Sequence, residues 1–249
     1  MHIVNVDVET RGRWILAIDT SSEQLGVALS DGIVTAELGW PAGRHQTSVL
    51  IDAVDDLLRR MAIGLADVAA IAVATGPGTF NGLRAGLGTA KGLALGSGLP
   101  LIGVGTLEST VLPVLVPGRL VVGVVSAGRS RVVSAVFQAP GGSMSGNPDR
   151  PVMVGEPHNG SIDDLGRRLA GLRGPLTLTG ELTDAQIAEM TATRAGIDLW
   201  VPAPAVRSRR SGSVAALGHA RWLARAFDDP ETLDATYLHG TARPMAAPT

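Results

Sequence analysis

The chain has 249 residues, of which 45% are hydrophobic and 18% are charged, and its formal net charge is −2 at pH 7. This composition supports a folded core and excludes both global disorder and a protein-wide electrostatic field that would attract nucleic acid. The chain has no cysteine, which excludes disulfides, redox thiols and thiolate metal sites. Segment 1–13 contains Asp7 and Glu9 and no apolar run, so we expect no signal peptide. Arg84, Lys91 and Pro100 interrupt the one long apolar stretch, so we expect no membrane span and a cytoplasmic protein.

The first half of the chain alternates strand-like and helix-like segments. Short β-rich runs at 14–19, 25–31 and 33–38 predict an antiparallel meander. Apolar residues at helical spacing predict an amphipathic helix over 45–63, and the continuous apolar run 68–75 is typical of a strand buried on both faces. The predicted half ends with a glycine-rich helix, a strand at 100–104 and a helix from Thr106.

The same order of elements recurs in the second half. Strands are predicted at 119–126, 130–137, 151–156 and 175–180, and helices at 161–172, 183–190 and 211–227, the last with Ser211 or Ser213 as its N-cap. We therefore predict an α/β protein of two similar β-β-β-α-β-α halves, residues 14–113 and 119–240, after an N-terminal extension at 1–13.

The glycine-rich helix contains two rows of small residues. Gly82, Gly86, Ala90 and Ala94 are spaced by four, and a second row of glycines at 88, 92 and 96 lies about half a turn away. Each glycine destabilises a helix by about 1 kcal/mol relative to alanine, so the presence of several glycines in this helix needs a structural or functional explanation. Rows of small residues allow the helix backbone to approach a neighbour closely. We expect that neighbour to be the helix's own sheet on one side, and the 45–63 helix or another protein chain on the other.

The turn before this helix reads GPGT. Gly76 and Gly78 permit a tight turn and Thr79 is a candidate N-cap. No GK[ST] follows, and Asn81 replaces the third glycine of a dinucleotide motif, so neither nucleotide fingerprint is present. The turn is either a tight strand-to-helix connection, which is the simpler interpretation, or an anion site built from backbone N–H groups.

Three segments carry a resemblance to a known family: ILAIDTSSEQLGVAL, HQTSVLIDAVDDLL and ATGPGTFNGLRAGLGTAKGLALGSGLPLIGVGTLE. Together they resemble the bacterial TsaB (YeaZ) family, over about residues 14–137, with departures at Asn81, Ser126 and His239. The resemblance implies an actin/sugar-kinase/Hsp70-like (ASKHA) fold of two RNase H-like halves. It also implies a role in forming N6-threonylcarbamoyladenosine in tRNAs that read ANN codons, as the non-catalytic partner of the related subunit TsaD.

The resemblance further implies a helical contact with TsaD, or with a second copy when the chain is alone. A TsaE-like ATPase is a further expected partner, tRNA is expected only through the complex, and ATP is expected to be used by the complex with no cofactor on the isolated chain. Gly86→Leu is expected to abolish association while leaving the monomer folded. The predicted interface residues are Leu50, Val54, Leu57, Gly82, Gly86, Ala90 and Ala94.

An ATPase of this fold class needs acidic groups from both halves to hold hydrated Mg²⁺. Asp19 ends the first strand, but the corresponding strand of the second half ends at Ser126, where the family often has Asp. We therefore predict no catalytic residue and no autonomous ATP turnover, and Asp19 alternatively caps nearby backbone. The predicted vestigial nucleotide or phosphate site comprises Asp19, Thr20, Ser21, Gly76, Gly78 and Thr79. Two alternatives stay open: an ATP-dependent sugar-kinase-like enzyme and a homodimeric interaction protein that has diverged from the pathway.

Histidine spacing argues against a protease metal site. The five histidines include no pair at i,i+3 or i,i+4 and no HExxH motif, so no metal site is predicted. The run RSRR at 207–210, with Arg221 and Arg225 beyond it, is either a contact for tRNA phosphates or solvated surface. Trp222 is expected to anchor the last helix to the core.

Overall fold

Two five-stranded mixed sheets with the same strand order form the framework of the protein. The computed structural model describes residues 14–128, 131–140, 150–192 and 198–237; the predicted extension at 1–13 and His239 lie outside them. The elements of the first half are β1 Trp14–Asp19, β2 Gln24–Ser30, β3 Thr35–Pro41, α1 Gln46–Arg60, β4 Val68–Gly76, α2 Phe80–Ser97, β5 Leu101–Gly105 and α3 Thr106–Val111. Those that follow are β6 Leu120–Ser126, β7 Val132–Gln138, β8 Val152–Gly160, α4 Ile162–Gly171, β9 Leu176–Gly180, α5 Asp184–Ala192, β10 Leu199–Trp200, α6 Pro204–Arg207 and α7 Ser211–Leu223.

The two sheets repeat one topology. Their strand orders are β3-β2-β1-β4-β5 and β8-β7-β6-β9-β10. In each sheet an antiparallel meander of three strands continues into two parallel strands reached through helices. This arrangement confirms the predicted α/β fold of two RNase H-like halves. The two-residue strand β10 and the one-turn helix α6 are too short to give a periodic signal in the sequence.

The first sheet is covered on both faces, and alternation along β1 explains how. Leu16 and Ile18 point to the core beneath α1 and α2, whereas Ile15 and Ala17 point to the opposite face, where α7 packs. Trp222 is half-buried against this second core, which confirms its predicted role as an anchor. The chain therefore returns from the second sheet to complete the first, and the predicted division between residues 113 and 119 stays a prediction.

The last helix differs from its prediction at both ends. It ends at Leu223, four residues earlier than expected, and its N-cap residue is Arg210, which makes no side-chain cap hydrogen bond. The predicted caps, Ser211 and Ser213, instead both lie inside the first turn of the helix. The Glu37 carboxylate of β3 instead accepts a hydrogen bond from the Gly212 backbone N–H at 2.9 Å. A tertiary contact thus replaces the local cap.

The two small-residue rows of α2 lie in opposite environments. Gly82, Gly86, Ala90 and Ala94 are buried against the first sheet, and a Cβ on Gly82 would lie 2.0 Å from the Thr20 carbonyl oxygen. A Cβ added at Gly88, Gly92 or Gly96 would meet no other atom within 4 Å. The first row is thus required by close packing of helix on sheet, whereas nothing within the described chain requires the second. In these described ranges, no helix is both long and apolar enough to cross a membrane.

Two alanine substitutions on α2 should shift stability in opposite directions. Gly82→Ala should lower the free energy of unfolding by about 1–3 kcal/mol, because the new methyl group overlaps the backbone of Thr20. Gly88→Ala should raise it by up to about 1 kcal/mol, because alanine is the better helix former and the site is open. Urea unfolding of both variants checks this, and a shift of the same sign in both would contradict the assigned faces.

Candidate functional site

A cleft lies where the carboxyl ends of the central strands of the two sheets face each other. Its volume is about 990 Å³, and residues of both halves line it. Its walls include the segments that follow β1 and β4 on one side and those that follow β6 and β9 on the other. The lining residues that carry the chemistry are Ser21, Thr79, Ser126, Gly180, Glu181 and Arg209.

Asp19, at the end of β1, is paired with Arg209 from the segment before α7. The Arg209 Nη2 atom lies 3.0 Å from Oδ1 and 2.9 Å from Oδ2 of Asp19, and each side chain is only 6% exposed. Oδ1 also accepts hydrogen bonds from the Ser21 backbone N–H at 3.0 Å and from the Ser21 hydroxyl. Asp19 therefore does bind neighbouring backbone, but its charge partner is 190 residues away in the chain.

A second carboxylate reaches the same guanidinium from the other half. Glu181 directly follows β9, and its Oε1 lies 3.4 Å from Arg209 Nη1. Its Oε2 accepts a hydrogen bond from the Ser126 backbone N–H at 2.9 Å. Arg209 thus lies between one carboxylate from each half, and we call Asp19, Arg209 and Glu181 the cleft triad.

The electrostatics keep the buried pair of the cleft triad ionised. Burial alone would raise the pKa of Asp19, but the Arg209 charge and the Ser21 hydrogen bonds outweigh it and hold that pKa below its usual value. Burial would lower the pKa of Arg209, and the charges of Asp19 and Glu181 outweigh it and raise that pKa. At neutral pH the cleft therefore contains a resident cation.

The GPGT turn packs directly on the loop after β1. The Thr79 backbone N–H donates to the Ser21 carbonyl at 2.7 Å, and a Cβ on Gly78 would lie 2.2 Å from that same oxygen. Gly76 has a φ of +109°, which favours glycine, and the Thr236 backbone lies against it. Thr79 is the N-cap residue of α2, but its side chain makes no cap hydrogen bond. These contacts fit the tight-connection interpretation of the turn.

Comparison with known proteins gives matches to one pathway. The sequence profile of a family described as "TsaD: tRNA N6-adenosine threonylcarbamoyltransferase" matches residues 40–148. The tRNA threonylcarbamoyladenosine biosynthesis protein TsaB of Escherichia coli K12 is 47% identical over 94 residues, which are 37% of this chain and 40% of that protein. The TsaB protein of Bacillus subtilis 168 is 32% identical over 149 residues, 57% of this chain and 63% of that protein.

A solved structure shares the whole fold. YeaZ from Pseudomonas aeruginosa superposes with a TM-score of 0.72 at 19% identity, covering 91% of this chain and all of that one. The chain is thus similar to TsaB proteins over part of its sequence and to YeaZ in its fold. The sequence alignments span 40% and 63% of these two TsaB relatives, and the family profile covers residues 40–148 of this chain.

The cleft of this chain does not fit hydrated Mg²⁺ with a nucleotide. A divalent ion needs carboxylate oxygens that are free to face it, and the Arg209 guanidinium takes those of Asp19 and contacts Glu181. Over the ranges that the structure describes, no cluster of three or more His, Asp or Glu side chains is arranged to hold a metal ion. Thr20, the remaining predicted phosphate contact, donates its hydroxyl to the Gly82 carbonyl at 2.7 Å. A vestigial nucleotide site stays a prediction.

Two members of the cleft triad were missed by the sequence analysis. Glu181 supplies an acid close to Ser126, where the sequence predicted none, and an acidic residue directly after a buried strand was the available signal. The arginine run 207–210 was predicted to be solvated surface or a tRNA contact, which is wrong for Arg207 and Arg209. The side chain of Arg207 is 11% exposed and donates to the carbonyls of Gly180 and Leu182. Only tertiary structure reveals that these arginines turn inward.

The predicted partner residues also lie inside the protein. Gly86 faces the sheet, and a Cβ there would lie 2.3 Å from the Thr20 hydroxyl, so the expectation that Gly86→Leu leaves the monomer folded is wrong. Spacing by four selects one face of a helix but does not say whether it faces the sheet or solvent, and here it faces the sheet. A partner contact through α1 and α2 stays a prediction, but it would have to use the solvent-facing side of these helices and not the buried side. The buried set is Leu50, Val54, Leu57, Gly82, Gly86, Ala90 and Ala94.

Removing the Asp19 charge should make the free energy of unfolding depend less on pH in the acidic range. Because the folded-state pKa of Asp19 is lowered, its stabilising effect is full above its unfolded pKa of about 3.9 and is lost as pH falls through the lower folded value. Asp19→Asn should therefore lower the free energy of unfolding by about 3 kcal/mol at pH 7, by leaving buried Arg209 short of a partner, and by less at pH 3.

Asp55→Asn is the matched control, because Asp55 pairs with Arg59 on the solvent-exposed surface of α1. It should change the free energy of unfolding by less than about 1 kcal/mol at either pH. Urea unfolding at pH 7 and pH 3 measures both variants. Equal effects of the two substitutions at pH 7 would contradict a buried, ionised Asp19.

Proposed function

We propose that this chain is a non-catalytic partner subunit in the formation of N6-threonylcarbamoyladenosine in tRNAs that read ANN codons, and that it acts by binding a TsaD-type catalytic subunit. The similarity to TsaB proteins supports the pathway. The cleft triad supports the non-catalytic role, and it is the single observation that carries the proposal. A catalytic ASKHA-type cleft needs its acids free for metal and phosphate, and here an internal cation neutralises them.

The outward face of α1 and α2 is the surface that fits a partner. Leu95 is 68% exposed and Ile51 is 53% exposed, and the open row of Gly88, Gly92 and Gly96 lies on the same outer layer of the protein. A row of helical glycines leaves room for another helix to approach closely, and exposed large apolar side chains favour burial by a partner. Helix propensity alone would disfavour glycine there, so a partner helix accounts for what the isolated chain does not.

The proposal extends to the wider complex. A TsaE-like ATPase is proposed as a further partner, and the chain alone is proposed to form a homodimer through the same outward face. ATP would be used by the complex, tRNA would be reached only through it, and the site of action would be the cytoplasm. No cofactor is proposed for the isolated chain.

Two other functions compete with this proposal. An ATP-dependent enzyme of the sugar-kinase type requires Mg·ATP in the cleft, and the position of Arg209 argues against it. A homodimeric interaction protein diverged from the pathway would use the same surface without a TsaD-type subunit. Association measurements separate this second alternative from the proposal.

Gly92→Leu should weaken association with the TsaD-type subunit of the same organism. The substituted side chain projects into open space, so the fold should be kept, but it would hold the two helices apart. We expect at least about a tenfold loss of affinity, or about 1.4 kcal/mol. Size-exclusion chromatography with light scattering, followed by titration calorimetry, measures the loss.

Gly171→Leu at the end of α4 is the matched control, because a Cβ there also meets nothing within 4 Å. It should leave association unchanged. A parent chain that forms a homodimer indifferent to the TsaD-type subunit would favour the diverged interaction protein. Equal binding by both variants and the parent would remove the outward face from the proposal.

A further inference from the structure

The arginine run 207–210 lies where the chain passes from the second sheet back to the first. Arg207 binds the second half: its Nη1 donates to the carbonyls of Gly180 and Leu182 at 3.5 and 2.5 Å. Arg210 binds the first half: its Nε donates to the Glu37 carboxylate of β3 at 2.9 Å. Successive arginines thus attach this segment to one half and then to the other.

Arg209 lies between them and binds both halves at once. It contacts Asp19 at the end of β1 and Glu181 after β9, and it does so with 94% of its side chain buried, since 6% is exposed. We propose that Arg209 is the residue that fixes the relative orientation of the two halves. The guanidinium is a permanent internal cation that links the carboxylate of one half to the carboxylate of the other.

An apolar cluster also joins the two halves. Leu107 and Val111 of α3 are buried among Val121, Val125 and Phe137 of the second sheet. The hydrophobic effect itself is non-directional, so this cluster contributes cohesion between the halves without a fixed hydrogen-bond geometry. The two-sided hydrogen bonding of a planar guanidinium is directional, and any rotation that breaks it leaves a buried charge unpaired. Orientation, more than net stability, is what such a buried ionic contact specifies.

The experiment measures the distance between the two halves in the full chain. Because the sequence has no cysteine, Asp52→Cys on α1 and Ala170→Cys on α4 provide a unique pair of spin-label sites, both exposed. Pulsed electron–electron double resonance then gives the distribution of inter-label distances. The test variant is Glu181→Ala, which removes the contact of Arg209 with the second half and leaves its contact with Asp19.

Glu37→Ala is a closely matched control. Glu37 and Glu181 are 27% and 26% exposed, each pairs with an arginine of the same run, and each accepts one backbone N–H. They differ in that both partners of Glu37 pack with the first half. Thermal melting verifies that each variant is folded. If Glu181→Ala is not, Glu181→Gln, which removes the charge and keeps the shape, replaces it.

We expect a single narrow distribution for the parent and for Glu37→Ala, and a broader or shifted one for Glu181→Ala. An unchanged distribution in Glu181→Ala would overturn the proposal. Equal broadening in both variants would also overturn it, because the run as a whole, and not the bridge through Arg209, would then hold the halves. The isolated chain suffices for this measurement, so its result is independent of whether the chain binds a TsaD-type subunit.

Discussion

The ionic contact of Arg209 with Asp19 and Glu181 links three parts of the chain that are far apart in sequence. Asp19 ends the first strand, Glu181 follows the fourth strand of the second sheet, and Arg209 precedes the helix that completes the first core. An unpaired charge at this depth would be strongly destabilising, so the return of the chain to the first sheet and the closeness of the two strand ends depend on each other.

The same contact connects fold to function. Asp19 ends the central strand β1 of the first sheet, and Glu181 follows β9, the neighbour of the central strand β6 in the second sheet. In this chain those acids face a cation supplied by the protein. Under the proposed function, the surface used for binding is the outer layer of α1 and α2, with its open glycines and exposed Leu95.

Local patterns in the sequence predicted much of the fold. The apolar run of β4 predicted a strand buried on both faces because a parallel strand covered by helices needs no polar side, and β4 is buried throughout. The small-residue rows of α2 predicted close packing, but periodicity cannot say which row meets the sheet, and the row chosen for the partner is the buried one. Of the cleft triad, only Asp19 was predicted, although the predicted Ser21, Gly78 and Thr79 also line the cleft. Arg209 lies 190 residues away, in a run whose composition is typical of solvated surface, and only the three-dimensional arrangement brings the two together.

Titration calorimetry of the isolated chain with a non-hydrolysable ATP analogue and Mg²⁺ tests the central claim most directly. If Arg209 occupies the cation position between Asp19 and Glu181, no Mg²⁺-dependent binding should be detected at millimolar analogue. Stoichiometric binding that requires Mg²⁺ and is abolished by Asp19→Asn would contradict this account, because the cleft would then hold a metal–nucleotide complex and the chain would have to be treated as an enzyme.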